Sequence, residues 1–174
     1  MDIVSHGLWG GAAFGRKKKS DFWWSFFFGI APDFFSFGIY MGGALIGIFD
    51  HPSFASGQHP TDATIPYFVH ALYNVTHSLV IFALIFGLAW FVKKRFYLPM
   101  AAWGLHILFD IPTHADQFFP TPFLWPISDF HINGHSWGTP EIFIPNVLCL
   151  IGIYYWFFIR SRQAKQNRQN VQTL

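Results

Sequence analysis

The chain has 174 residues, of which 52% are hydrophobic and 21% aromatic but only 11% charged, with a formal net charge of +2. A soluble globular domain carries about 25% charged residues, so this composition excludes that class and indicates a membrane protein. At about 20 residues per span the length accommodates four or five helices with short connections, and no second domain is expected.

The amino end reads Met1-Asp2-Ile3-Val4-Ser5-His6 with no cation before Arg16, so a cleaved secretory leader is not expected. The first segment, Asp2 to Gly15, is rich in small residues (Gly7, Gly10, Gly11, Ala12, Ala13), which suits a helix packed against neighbours. A second segment runs from Asp21, with Ser20 as its expected N-cap, to about Phe49, interrupted at Pro32-Asp33. Asp50 to Pro66 reads as an outside loop, rich in Pro, Gly, Ser and Asp. A third, strongly apolar segment, Tyr67 to Val92, stops at Lys93-Lys94-Arg95, and Phe96 to Ile111 returns. The loop Thr113 to Thr139 contains four aromatics and three prolines within Phe118 to Pro126, a composition that suits a segment resting at the headgroup level. The last helix is expected from Pro140 to Ile159, followed by a polar, solvated tail from Arg160 to Leu174.

The eleven Lys and Arg residues fall in three groups: Arg16 to Lys19, Lys93 to Arg95, and the tail residues Arg160, Arg162, Lys165 and Arg168. Basic residues are retained on the cytoplasmic side, so all three groups should share it. The expectation is therefore an all-α polytopic bundle of about five membrane-embedded helices, N-terminus outside and C-terminus cytoplasmic. Residues 1–159 form the embedded domain and 160–174 a basic cytoplasmic tail. Retention of the inner side accounts for the tail's charge, and no nucleic-acid partner is expected.

Ionisable side chains inside a span cost about 2.5 to 3.5 kcal/mol each and usually serve function. Measured from the basic boundary at about 1.5 Å per residue, His6, Asp33, His77, His106 and Asp110 fall roughly 14 to 22 Å deep. In a hydrocarbon layer of about 30 Å that is one central band. His106 and Asp110, four residues apart, share a helix face, as two ligands of one ion require. His70, Asn74 and His77 share another face. Cys149 is the only cysteine, so an intrachain disulfide and a thiolate-rich zinc site are both excluded. Imidazole and carboxylate suit zinc, and also manganese or iron. His70 reads as a hydrogen-bonding residue between helices, and His51, His59 and His131 as loop residues. His114, Asp116, Asp129 and His135 lie where such a site would open, as candidates for a substrate or second-metal role. Ser78 beside His77 has no dyad geometry on a helix, because adjacent residues point about 100° apart.

Four short motifs, Ser5-His6-Gly7, Ala31-Pro32-Asp33, Val75-Thr76-His77-Ser78-Leu79 and Gly104-Leu105-His106-Ile107-Leu108-Phe109-Asp110, occur in that order, followed by Thr121-Pro122-Phe123-Leu124-Trp125-Pro126. From His6 to Trp137 the chain thereby resembles the LexA-regulated, membrane-bound, metal-dependent hydrolases, small proteins of the bacterial inner membrane. The resemblance implies His6, Asp33, His77, His106 and Asp110 as metal ligands. Many members have Arg-Gly before Thr-His-Ser where this chain has Asn74-Val75, a departure that bears on substrate preference if that Arg holds an anionic group. The His-x-x-x-Asp helix is also similar to that of zinc-dependent phospholipases C. The activity expected on this basis is hydrolysis of an ester or phosphoester of a lipid-like substrate by metal-activated water, with Asp33 or Asp110 accepting the proton. A metal transporter or proton relay, or a structural membrane protein whose polar residues merely join helices, are the alternatives.

Overall fold

The structure is a computed structural model and describes residues 1–50 and 65–172; the loop residues His51 and His59 lie outside them. Among the described residues the chain is all-helical. Its elements are α1 (Ile3–Phe14), α2 (Lys19–Asp33), a π-helical stretch (Phe34–Gly38) leading into α3 (Ile39–Leu45), α4 (Tyr67–Thr76), α5 (Leu79–Lys93), a single 3-10 turn (Leu98–Met100), α6 (Ala101–Thr113) and α7 (Pro140–Gln172).

The Asp2 carboxylate caps α1 by accepting from Ser5 N at 2.9 Å, satisfying one of the amides that a helix start leaves open. α1 and α2 then run antiparallel with their backbones nearly touching. A Cβ added at Gly10 would stand 2.6 Å from the Ser25 carbonyl oxygen, and one at Gly29 would stand 2.5 Å from that of His6. Only glycine permits so close an approach of two helix backbones. α2 begins at Lys19 and the residue before it makes no side-chain cap, so Ser20 lies in the first turn instead of capping it. Pro32 does not end α2. The helix continues to Asp33 and only then widens into the π-helical stretch, where Ser36 Oγ donates to the Pro32 carbonyl at 2.8 Å.

The third apolar segment is not continuous. α4 ends at Thr76, His77 leaves helical geometry (φ −103°, ψ 17°), and α5 begins after an extended Ser78, with a bend of 56° between the two helices. Ser78 Oγ accepts from the amides of Val80 and Ile81, both at 3.1 Å, and donates to the Trp125 carbonyl. Ser78 is thus an N-cap that also ties the break to the aromatic loop. Ser78→Ala is expected to lower stability by about 1 to 2 kcal/mol, read as a lower unfolding midpoint in detergent.

That loop does not simply rest on a surface. Phe119 is buried with Tyr40, Ile65, Val69 and Tyr73 in one core, and Tyr73 Oη donates to the Phe119 carbonyl at 2.9 Å. α7 runs on to Gln172 and does not stop at Ile159, because its Arg-, Gln- and Ala-bearing tail contains neither Gly nor Pro before that point.

α7 is long and apolar enough to cross a membrane over Pro140–Ser161, and α4 with α5 qualifies only as one bent pair. α1 and α6, at 12 and 13 residues, fall short by length. At 1.5 Å per residue they reach roughly 20 Å against a hydrocarbon layer of about 30 Å. Polar residues lie in the interior of the bundle: His6, Ser25, Ser36, His77, Ser78, His106 and Asp110 are all buried. The outside is apolar. α5 buries no residue, and Leu84, Leu88 and Phe91 are each more than 60% exposed. Arg16 lies over the Phe157 ring at 5.0 Å and Arg160 over that of the neighbouring Trp156 at 4.4 Å, and Lys93 lies over Tyr97 at 5.9 Å.

Candidate metal centre

Four side chains from three places in the chain meet in the middle of the bundle. Asp33 ends α2, His77 stands at the α4–α5 break, and His106 and Asp110 share one face of α6. One ligand atom from each lies within 4.8 Å of all the others. His106 Nε2 is 2.9 Å from Asp110 Oδ2 and 3.8 Å from Asp33 Oδ1; His77 Nε2 is 3.5 Å and 3.4 Å from the same two oxygens. The two Nε2 atoms are 3.0 Å apart.

The other ring nitrogens fix what these atoms can do. His106 Nδ1 is 2.7 Å from the Gly29 carbonyl oxygen, which can only accept, so Nδ1 carries the proton of the neutral ring. His77 Nδ1 likewise meets the Tyr73 carbonyl at 3.2 Å and Thr76 Oγ at 3.0 Å. If both rings are neutral, their Nε2 atoms are two lone pairs 3.0 Å apart. Asp110 Oδ2, fully buried beside them, has no hydrogen-bond partner. Two imidazole lone pairs, an orphaned carboxylate oxygen and a second carboxylate make an unfavourable group by themselves, and they match what a divalent cation requires. Carbonyl-anchored imidazole is also how metal-binding His is generally held in the correct tautomer. A buried cluster of two Asp and two His can therefore bind a divalent metal.

Of the five expected ligands, four come together and His6 stands beside them. Its Nε2 is 2.9 Å from Asp110 Oδ1, the oxygen turned away from His77 and His106, and its ring stacks on that of His106 at 3.7 Å. His6 thus holds a ligand in place; its own Nδ1 is buried without a partner. The amino group of Met1 contacts the same oxygen. Asp33 is the most open of the four, its side chain 16% exposed, whereas Asp110 is completely enclosed.

The remaining candidates spread outward. His114, the first residue beyond α6, has Nδ1 at 3.6 Å from Asp110 Oδ1. Burial pushes its imidazole down to about 4, so it is neutral near pH 7. His70 makes no hydrogen bond between helices among the described residues; it stacks on Phe119 at 4.7 Å, and with Asp129 and His131 it lines a separate cavity. His131 pairs with Asp116 at 3.3 Å on the exposed surface, and His135 is exposed. Sequence reasoning passed over Gly29 and Tyr73. Gly29 is both the contact point of α1 with α2 and the acceptor that orients His106, and its signal was a lone glycine after Phe26-Phe27-Phe28. Tyr73 stacks on His77 at 3.8 Å, a contact across one turn of α4 that spacing alone does not announce.

No family model, no curated protein and no solved structure matches this chain.

Proposed function

We propose that the chain is a membrane-embedded, metal-dependent hydrolase of an ester or phosphoester in a lipid-like substrate, akin to the LexA-regulated membrane-bound hydrolases of the bacterial inner membrane. The observation that carries the reading is the convergence of Asp33, His77, His106 and Asp110 on one point with both His Nδ1 atoms tied to backbone carbonyls. A bound zinc, manganese or iron ion would polarise the scissile group and make water a nucleophile near neutral pH.

The residues divide the remaining work. His77, His106 and Asp110 are enclosed and braced, so they serve as anchors. Asp33, the accessible carboxylate, is placed to accept a proton from the attacking water. Asp110 is the weaker choice for that role, because His6 holds one of its oxygens and the other faces both imidazoles.

Multi-pass embedding, with about five helices within the bilayer, is part of the same proposal. It is supported by polar residues inside and Trp, Phe and Leu outside on α2, α5 and α7, the reverse of a water-soluble surface. Retention of the basic groups on the cytoplasmic side, a rule read from the sequence, would set the C-terminus there and the N-terminus outside. The second reading, a metal transporter or proton relay, draws on the same buried His and Asp residues. Turnover of lipid esters and phosphoesters by purified protein, compared with metal flux into proteoliposomes, separates the two. Turnover that disappears in Asp33→Asn supports the hydrolase; flux without turnover rejects it.

A further inference from the structure

The aromatic loop is fastened to α4 and α5 at three points. Tyr73 Oη donates to the Phe119 carbonyl at 2.9 Å, Leu79 N donates to the Phe123 carbonyl at 3.0 Å, and Ser78 Oγ donates to that of Trp125. Between the loop and α4 these ties leave a cavity of about 290 Å³, and none of Asp33, His77, His106 and Asp110 lines it. That volume is at the small end of ligand pockets, which run from about 300 to 1,000 Å³. Polar side chains converge on the space from both sides, His70 and Asn74 from α4 and Asp129 and His131 from the loop.

Some of these groups have nothing to bind within the protein. Among the described residues the Asp129 carboxylate and the Asn74 amide make no hydrogen bond or ion pair, and the Trp125 indole meets no other ring. The two imidazoles are better held: His70 lies flat on Phe119 at 4.7 Å, and His131 pairs with Asp116 at 3.3 Å.

The chemistry of the lining narrows what can fill it. An anion is disfavoured, because the lining contains a carboxylate and neither Lys nor Arg. A metal ion is disfavoured as well. Among the described residues the only His, Cys, Asp and Glu side chains close enough together to hold one are those of the Asp33, His77, His106 and Asp110 cluster, so His70, Asp129 and His131 stand too far apart. A wholly apolar ligand would cover the Asn74 amide and the Asp129 carboxylate without satisfying them. An organic cation meets every requirement. The carboxylate supplies the opposite charge, and indole is the aromatic face that attracts an ammonium group most strongly. Asn74 and His70 can hydrogen-bond a hydroxyl or ester oxygen carried beside it.

We infer that this cavity binds the ammonium end of a small organic cation, carried by a free amino alcohol or by a zwitterionic lipid headgroup, with Asp129 and Trp125 as the recognising pair. The site is independent of the metal-dependent reading above and needs no passage to the metal centre.

The test uses full-length protein in a maltoside detergent and compares the affinity for choline with that for 3,3-dimethylbutanol, its uncharged isostere. Wild type is expected to prefer choline by about tenfold, the sum of a cation–π contact and an exposed ion pair. Asp129→Asn and Trp125→Leu should each cut that preference to about threefold, and the two together should abolish it. Asp129→Asn should leave the unfolding midpoint unchanged, since its carboxylate has no partner to lose, and it decides alone if the Trp125 change prevents folding. Phosphatidylethanolamine added to the micelles, with phosphatidylglycerol as control, separates the sources. Selective displacement of choline assigns the site to a lipid headgroup, absence of displacement assigns it to a free amine, and either agrees with ammonium recognition. Equal binding of choline and its isostere by wild type, no binding of choline, or a preference unchanged in Asp129→Asn would overturn the inference and leave the metal centre untouched.

Discussion

Replacing Asp110 by alanine is expected to weaken divalent-metal binding by more than about a hundredfold, since removing even an outer partner of a ligand costs 10- to 100-fold. Asp110 is the residue on which the most contacts converge: Oδ2 faces His106 at 2.9 Å and His77 at 3.5 Å, and Oδ1 takes His6 at 2.9 Å. The metal-free fold should suffer much less. Enclosing a carboxylate is itself costly, and its loss removes both that cost and the contacts that offset it. If Asp110 only joined α1 to α6 through His6, the pattern would reverse. Stability would then fall by about 3 kcal/mol or more, as when one partner of a buried pair is removed, and wild type would hold no metal to lose. Chemical denaturation of metal-free protein, set beside equilibrium metal titration, distinguishes the two.

The second large effect is expected at a residue with no side chain. Gly29→Ala would place a methyl group 2.5 Å from the His6 carbonyl oxygen and 3.0 Å from Gly7 Cα, all of it backbone that cannot swing aside. α1 and α2 must then separate, at a cost of about 1 to 3 kcal/mol for overpacking. The carbonyl that moves is the one that accepts from His106 Nδ1, and the helix that moves carries His6. Metal affinity should therefore fall by about 10- to 100-fold as well, the range for a lost outer partner. Gly87→Ala serves as the comparison, because a Cβ there meets nothing within 4 Å and the change should leave both quantities close to wild type. Equal behaviour of the two variants in metal titration would show that the α1–α2 contact has no part in orienting His106.

The relation between sequence and structure differs from one feature to the next. The central site was legible because buried charge in an apolar helix is rare, and because depth counted from Lys and Arg places residues of separate segments on a common scale. That count put His6 at a similar depth to Asp33, His77, His106 and Asp110 but could not show that His6 meets Asp110 at Oδ1 while His106 meets it at Oδ2. The break at His77 was hidden for another reason. Hydropathy from Tyr67 to Val92 is continuous, and a window average passes over one Thr-His-Ser interruption; the local signal was Ser78 before an apolar run, the ordinary signature of an N-cap. The aromatic loop lacks any period from which to read its placement, so the insertion of Phe119 beside Tyr73 is a tertiary result. The extra length of α7 was there to be read from helix propensity alone.

The most direct measurement is X-ray absorption at the metal edge of purified protein, combined with its metal-to-protein ratio. The account predicts bound metal in a shell of nitrogen and oxygen with imidazole scattering and no sulfur, lost in Asp110→Ala. Protein that stays metal-free after exposure to zinc, manganese and iron, or a shell containing the Cys149 sulfur, would contradict it.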